Sequence, residues 1–251
     1  GYSAVKLKRY QEFIDLYLDD ELKKIAAFAS QQLQTQVMKM QQSGEQLDPM
    51  KLADSIQSAV APLLAQTPLL NSLNTRYIIY QPELPPLVNT STNGNVWFVE
   101  DYKIVENADA EMLALKDTDL TKTAIIDKRF ESVLAGLKIE KDSLAEIKLM
   151  SYKPNKLVYK SKSTTDQLAV FSEIYFAEGW EVTIEGQATD YVRADWTLRA
   201  MKVPAGEHEI VFEFIPHTYN TSRTIATIFS AVLVLAVIGG IVLIVRRRKE
   251  N

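Results

Sequence analysis

The chain has 251 residues, a formal net charge of −4 and no cysteine, so no disulfide braces it and its stability rests on packing. Without the tail after Val245 there remain 24 basic and 31 acidic residues, a net −7 that argues against nucleic acid, whose phosphates are bound mainly through Lys and Arg. The only histidines are His208 and His217, which leaves a metal ion little but carboxylates, and neither a metal nor a cofactor is expected.

Residues 4–42 read as one long helix. Leu7, Tyr10, Ile14, Tyr17, Leu22, Ile25, Ala29, Leu33 and Val37 recur every three to five positions and form an apolar stripe that needs a partner. Its Gln-rich second half keeps the helical period through Met40 and is read as an exposed helical extension. Asp48 is placed to cap a second helix with Pro49 at its first position, running to about Gln66. Residues 1–70 are thus expected to form a helical hairpin, turning at Ser43 and Gly44.

After Pro68 the pattern becomes extended. Strands are expected over 76–80, 96–99, 103–105 and 123–126, with a helix over 108–115 capped by Asn107, giving a small α+β unit over 71–143. Asn89 and Asn220 each open a glycosylation sequon, a short pattern common by chance, and both are read as turn chemistry.

Residues 144–217 read as closely spaced antiparallel strands at 156–162, 167–176, 181–185, 198–203 and 207–215, the pattern of an antiparallel β-sandwich. The last strand alternates His208, Ile210, Phe212 and Phe214 against Glu207, Glu209 and Glu213. The fold class expected is therefore α+β.

A single transmembrane helix is expected over 224–246, with a short cytoplasmic tail over 247–251. The 21 residues 225–245 carry no charge, and 14 of them are Leu, Ile, Val or Phe. At 1.5 Å per residue they reach roughly 32 Å, enough to cross a hydrocarbon core about 30 Å thick. Arg246, Arg247, Arg248 and Lys249 follow directly, which puts the C-terminus in the cytoplasm and the bulk of the chain outside it, at the cell membrane.

Carboxylates are the only plentiful catalytic groups. Glu173, Glu178, Glu181, Glu185, Asp190 and Asp195 cluster in sequence, yet Glu181 and Glu185 share the spacing of solvent-facing strand positions, and catalysis by this set is not the reading adopted. Tyr175, Trp180, Tyr191 and Trp196 lie near turns, where such rings either fill a small core or stack on sugars; the core reading is preferred, with Trp180 as an anchor. Arg193, Asp195 and Arg199 either pair internally or meet a charged lipid headgroup. Trp180, Tyr191, Arg193 and Trp196 are the candidate ligand-facing residues, and no catalytic residue is assigned.

The runs NSLNTRYII at 71–79, GNVWFV at 94–99, DQLAVFSEIYF at 166–176, Gly179-Trp180 and LRAMKVPAGEH at 198–208 resemble the C-terminal extracytoplasmic region of the bacterial YfhO family of multi-spanning membrane proteins. The resemblance runs from Ala4 to the last helix, and the order of the motifs is more specific than any one of them. It implies a protein similar to GT-C glycosyltransferases, which take a sugar from a polyprenyl-phosphate donor and pass it to an acceptor, here an envelope glycan. The catalytic acids of that family belong to an early extracytoplasmic loop with no counterpart in these residues. Two roles are therefore expected: the accessory portion of a larger transferase, partnered by its N-terminal multi-spanning part, or a non-enzymatic anchored binding or scaffolding module. Gly1 at the start and the unpartnered helical stripe favour the first.

Overall fold

The computed structural model describes residues 8–44 and 48–250, with side chains up to Arg248; the expected helix start at 4–7 and the loop at 45–47 lie outside the described residues. The long first helix is present as α1 (Lys8–Phe13), a π-helical turn (Ile14–Leu18) and α2 (Asp19–Ser43). Gly44, at φ 71°, ends α2 in the left-handed conformation that glycine adopts most readily, and its N–H reaches the Met40 carbonyl. Asp48 caps α3 (Pro49–Leu64), its carboxylate accepting from the Met50 N–H at 2.9 Å. The stripe finds its partner here: Phe13, Leu18, Ile25 and Ala29 are buried with Leu52, Ile56, Val60 and Leu64 in one core.

A short helix, α4 (Pro68–Ser72), is held from outside its own segment. Its cap residue Thr67 makes no side-chain capping bond; instead Glu21 of α2 accepts from the Leu69 and Leu70 N–H groups at 3.2 and 2.9 Å. Buried Asn89 is engaged as a turn residue, donating to Asn71 Oδ1 at 2.7 Å and to the Thr75 carbonyl at 3.1 Å. Asn220, read as a turn, instead lies inside the last helix, because its backbone N–H reaches the Pro216 carbonyl and helical geometry begins there.

Thirteen strands follow among the described residues: β1 (Tyr77–Ile78), β2 (Leu87–Val88), β3 (Val96–Val99), β4 (Asp101–Val105), β5 (Thr123–Asp127), β6 (Glu146–Lys153), β7 (Lys156–Ser163), β8 (Gln167–Ile174), β9 (Trp180–Ile184), β10 (Gln187–Thr189), β11 (Val192–Ala194), β12 (Leu198–Val203) and β13 (Gly206–Phe214). β1 and β2 pair alone. A five-stranded sheet runs β10-β9-β13-β7-β6 and a six-stranded sheet β3-β8-β12-β11-β5-β4. The second sheet joins residues from both sides of position 143, because β3 pairs with β8 and β5 with β11. All pairs are antiparallel except β4 with β5, which are linked through α5 (Ala108–Ala114), capped by Asn107 as expected. A 3₁₀ segment (Lys128–Leu134) follows β5.

The two sheets close on Met201, Ile210, Tyr159, Phe171 and Phe212, and the last three meet ring edge to face at 4.8 to 6.2 Å. The opposite face of the six-stranded sheet, through Ile126, Val170, Val192 and Leu198, is covered by Leu134 and Leu137. At the β4–β5 end, Ile125 faces the helices and joins their core. One sheet face thus meets the second sheet at one end and the helical layer at the other, and the seam between them falls on β11 and β12.

β13 passes into the final helix, α6 (His217–Glu250), through Ile215 and Pro216 alone. The helix starts seven residues before the expected position 224, since the polar residues after Pro216 continue its backbone hydrogen bonds. It is long and apolar enough to cross a membrane, and none of its apolar window is buried. His217 Nε2 lies 2.7 Å from Glu181 Oε1, tying its first turn to the sandwich.

Replacing Glu21 with alanine strands two amides of α4 beside buried Leu69 and Leu70, and should cost about 1–3 kcal/mol. Thermal unfolding of the chain in detergent micelles, followed by near-ultraviolet circular dichroism, measures it; Glu21→Gln, which keeps an acceptor, should lose less.

Candidate functional site

The seam holds a buried charge cluster. Glu111 sits on α5, on the same face as Ala108 and Leu115, and none of it is exposed. A bare carboxylate there would be very costly, and three elements supply its partners. Arg193 of β11 donates to Oε2 at 3.0 Å, Arg9 of α1 donates to the same oxygen at 3.2 Å, and the Trp196 backbone N–H donates to Oε1 at 3.0 Å. Arg193 also lies 3.5 Å from Asp127 Oδ2, and Asp127 takes a two-pronged bond from Arg129 at 3.0 and 2.8 Å. Burial pushes the Asp127 pKa up, but the bonds from Arg129 outweigh it and leave it below the usual value. Burial lowers the Arg9 pKa, the Arg193 charge adds to the effect, and Glu111 opposes it.

The hairpin between β11 and β12 is tight. Arg193 pairs with Arg199 across it, and the three residues of the turn include Asp195 and Trp196 at φ 49° and 70°, a strained pair for non-glycine residues. Two contacts pin the turn to the helical layer: the Arg9 guanidinium lies 3.7 Å over the Trp196 ring, and the indole Nε1–H donates to the Arg9 carbonyl at 2.8 Å. Asp195 lies beneath, its Oδ1 accepting from the Ile125 N–H at 2.8 Å and its Oδ2 without a partner. Burial pushes its pKa up to about 8; the Ile125 bond opposes the rise and the Glu111 charge adds to it.

Beside the cluster opens a cleft of about 480 Å³, walled by the start of α1, the turn and the β8–β9 loop; its lining includes Lys8, Arg9, Tyr175, Phe176, Arg193 and Thr197. Tyr175 and Phe130 meet edge to face at 5.8 Å, with the Arg193 guanidinium 5.3 Å from the Phe130 ring. The loop is bonded to the approach to α6: Ile215 N–H donates to the Gly179 carbonyl, and a Cβ on Gly179, at φ 84°, would lie 2.6 Å from the Phe214 ring.

Of the four residues singled out from the sequence, Arg193 and Trp196 line this cleft, although Trp196 is only 5% exposed and its ring lies under Arg9. Tyr191 and Trp180 belong to the sandwich. Tyr191 packs on Phe212 at 5.5 Å and donates to the Phe176 carbonyl, while Trp180 packs on Phe214 at 5.5 Å and carries Arg199 at 4.2 Å. The six carboxylates are dispersed. Glu181 and Glu185 are exposed, Glu178 rims the cleft, Asp190 is exposed, Asp195 is buried, and Glu173 is half-buried near Arg199 with its pKa raised by burial. No group of acidic and histidine side chains among the described residues has a metal-holding arrangement. Arg9, Glu111, Phe176 and Thr197 were not raised as site residues from the sequence, whereas Tyr175 was among the rings weighed there as core filling or sugar-stacking. Among those four, Glu111 carries a local signal, a carboxylate on the apolar face of the helix expected over 108–115.

The architecture defines an α+β domain that continues directly into one helix of membrane-spanning length. Residues 117–226 match the family described as bacterial membrane protein YfhO. The match takes in β5 to β13 and ends inside α6. Neither a curated protein nor a solved structure matches the chain.

Asp195 gives stability a pH dependence whose sign is fixed. Between the ordinary aspartate value of 3.8 and about 8 the folded state keeps a proton that the unfolded chain releases, so stability falls as pH rises through that window. The slope from this one group is at most about 1.4 kcal/mol per pH unit. Asp195→Asn, neutral at every pH and able to keep the Ile125 bond, should flatten the decline in unfolding temperature between pH 5 and pH 9.

Proposed function

We propose that this chain is the extracytoplasmic accessory portion of a membrane glycosyltransferase-like protein of the YfhO type, with α6 spanning the membrane and its basic end in the cytoplasm. The observation that carries the reading is the family match that runs unbroken from the sandwich into the apolar helix, with only two residues between β13 and α6. A domain joined so closely to its membrane helix rests near the membrane surface. Arg246, Arg247 and Arg248 close the far end of that helix, and retention of Lys and Arg on the cytoplasmic side supports the orientation.

In this reading the chemistry of sugar transfer lies in an N-terminal multi-spanning part, and the domain shapes the acceptor side for an envelope glycan opposite the polyprenyl-phosphate sugar. The dispersal of the carboxylates supports an accessory rather than a catalytic role, since glycosyl chemistry needs acidic groups facing one another across a cleft at about 5–9 Å.

Two measurements test it. A reporter fused after Asn251 should be active only in the cytoplasm, while external protease should digest the domain in cells with a permeable wall; a protected domain overturns the orientation. Sugar transfer should require co-expression of this chain with the N-terminal multi-spanning part. Full transfer without this chain overturns the accessory role, and transfer by this chain alone overturns the placing of the chemistry elsewhere.

A further inference from the structure

We propose that the basic end of α6 gathers anionic phospholipids around itself, binding them by charge and phosphate rather than by the identity of the headgroup. The inference rests on α6 spanning a bilayer, and it holds whichever side the C-terminal end faces.

The shape of the charge is the first argument. α6 stays helical through Arg246, Arg247, Arg248 and Lys249. Successive helical residues are turned by about 100°, so four cationic positions in a row occupy about 300° of the circumference, a collar rather than a stripe. Arg246, Arg247 and Arg248 are exposed, and none of them meets a carboxylate among the described residues. The only acid after Glu213 is Glu250, so residues 246–250 keep a net charge of +3, four cations less one. A protein partner would cover one side of such a collar. Lipids packed around a helix meet every side of it.

Depth is the second. The uncharged run 225–245 reaches roughly 32 Å against a hydrocarbon core about 30 Å thick, so Arg246 stands where the core ends and the phosphate layer begins. A guanidinium meets a phosphate with two parallel N–H donors, the strong form of this contact. At the other end of the run Arg223 stands alone, and His217 is taken up by Glu181. The chain before Arg246 carries a net −7, which repels the same lipids. Attraction is therefore concentrated in the leaflet that holds the C-terminal end of α6.

The test reconstitutes the full chain in phosphatidylcholine bilayers and adds spin-labelled lipids, whose electron paramagnetic resonance spectra separate lipid in contact with the helix from bulk lipid. Phosphatidylserine and phosphatidylglycerol, two anionic lipids with unlike headgroups, should each associate about fivefold more strongly than phosphatidylcholine, the equivalent of about 1 kcal/mol for one cation beside one anionic lipid. Raising the salt from about 0.1 M to about 1 M, which shortens the Debye length from about 10 Å to about 3 Å, should bring the preference below about twofold. Arg246→Gln, Arg247→Gln, Arg248→Gln and Lys249→Gln together should abolish it, whereas Arg223→Gln should leave most of it. Lysine at the three arginine positions should keep at least about half of it, because the charge remains and only the paired donors are lost. Equal association of all three lipids, a preference for only one of the two anionic lipids, or a preference that survives the four glutamine replacements overturns the proposal. A chain that immobilises no lipid at all overturns the spanning of the bilayer and this inference with it, so the two failures are told apart.

Discussion

The buried carboxylate of Glu111 is the constraint on which the assembly of this domain depends. Once α5 turns that side chain inward, its charge has to be met by donors from elsewhere, and removing one partner of such a buried pair typically costs about 3–5 kcal/mol. Arg9, Arg193 and the Trp196 N–H answer it from the first helix, from β11 and from the hairpin turn. The helical layer, the βαβ edge and the end of the sandwich are therefore locked at a single point. The left-handed residues Asp195 and Trp196 are tolerated there because bonds on every side hold them.

Concentrating charge at this seam has an electrostatic consequence. Burial above all keeps the proton on Asp195, the nearby Glu111 charge adds to the effect, and Glu111 takes the guanidinium partners. Lys8 and Glu178 both line the cleft that opens beside the cluster. The same arrangement that fastens the first helix to the sandwich also sets the character of the cleft beside it.

The passage from β13 into α6 links this chemistry to the membrane. Because only Ile215 and Pro216 intervene, and because His217 meets Glu181 at the foot of the sandwich, the domain is not hung on a loose tether. The β8–β9 loop is tied to the same junction. Changes at the cleft and changes in the seating of the domain on its helix are thus mechanically close.

Local patterns determined much of this protein in advance. The heptad-like stripe from Tyr10 to Val37, the cap at Asp48, the alternation through Ile210 and Phe212 and the uncharged run before Arg246 each act within a few residues, so helix, strand and membrane segment were legible one at a time. Fainter elements escaped for local reasons as well: β6 is an edge strand with no buried residue, and β10 and β11 are three residues long. Tertiary structure alone decided the rest. That β3, β4 and β5 join the sheet of β8, β11 and β12, that Arg9 crosses 187 positions to reach Trp196, and that Glu111 gathers two arginines are long-range pairings. No sequence spacing records them, because they are fixed by which buried charge finds which donor once the layers have packed.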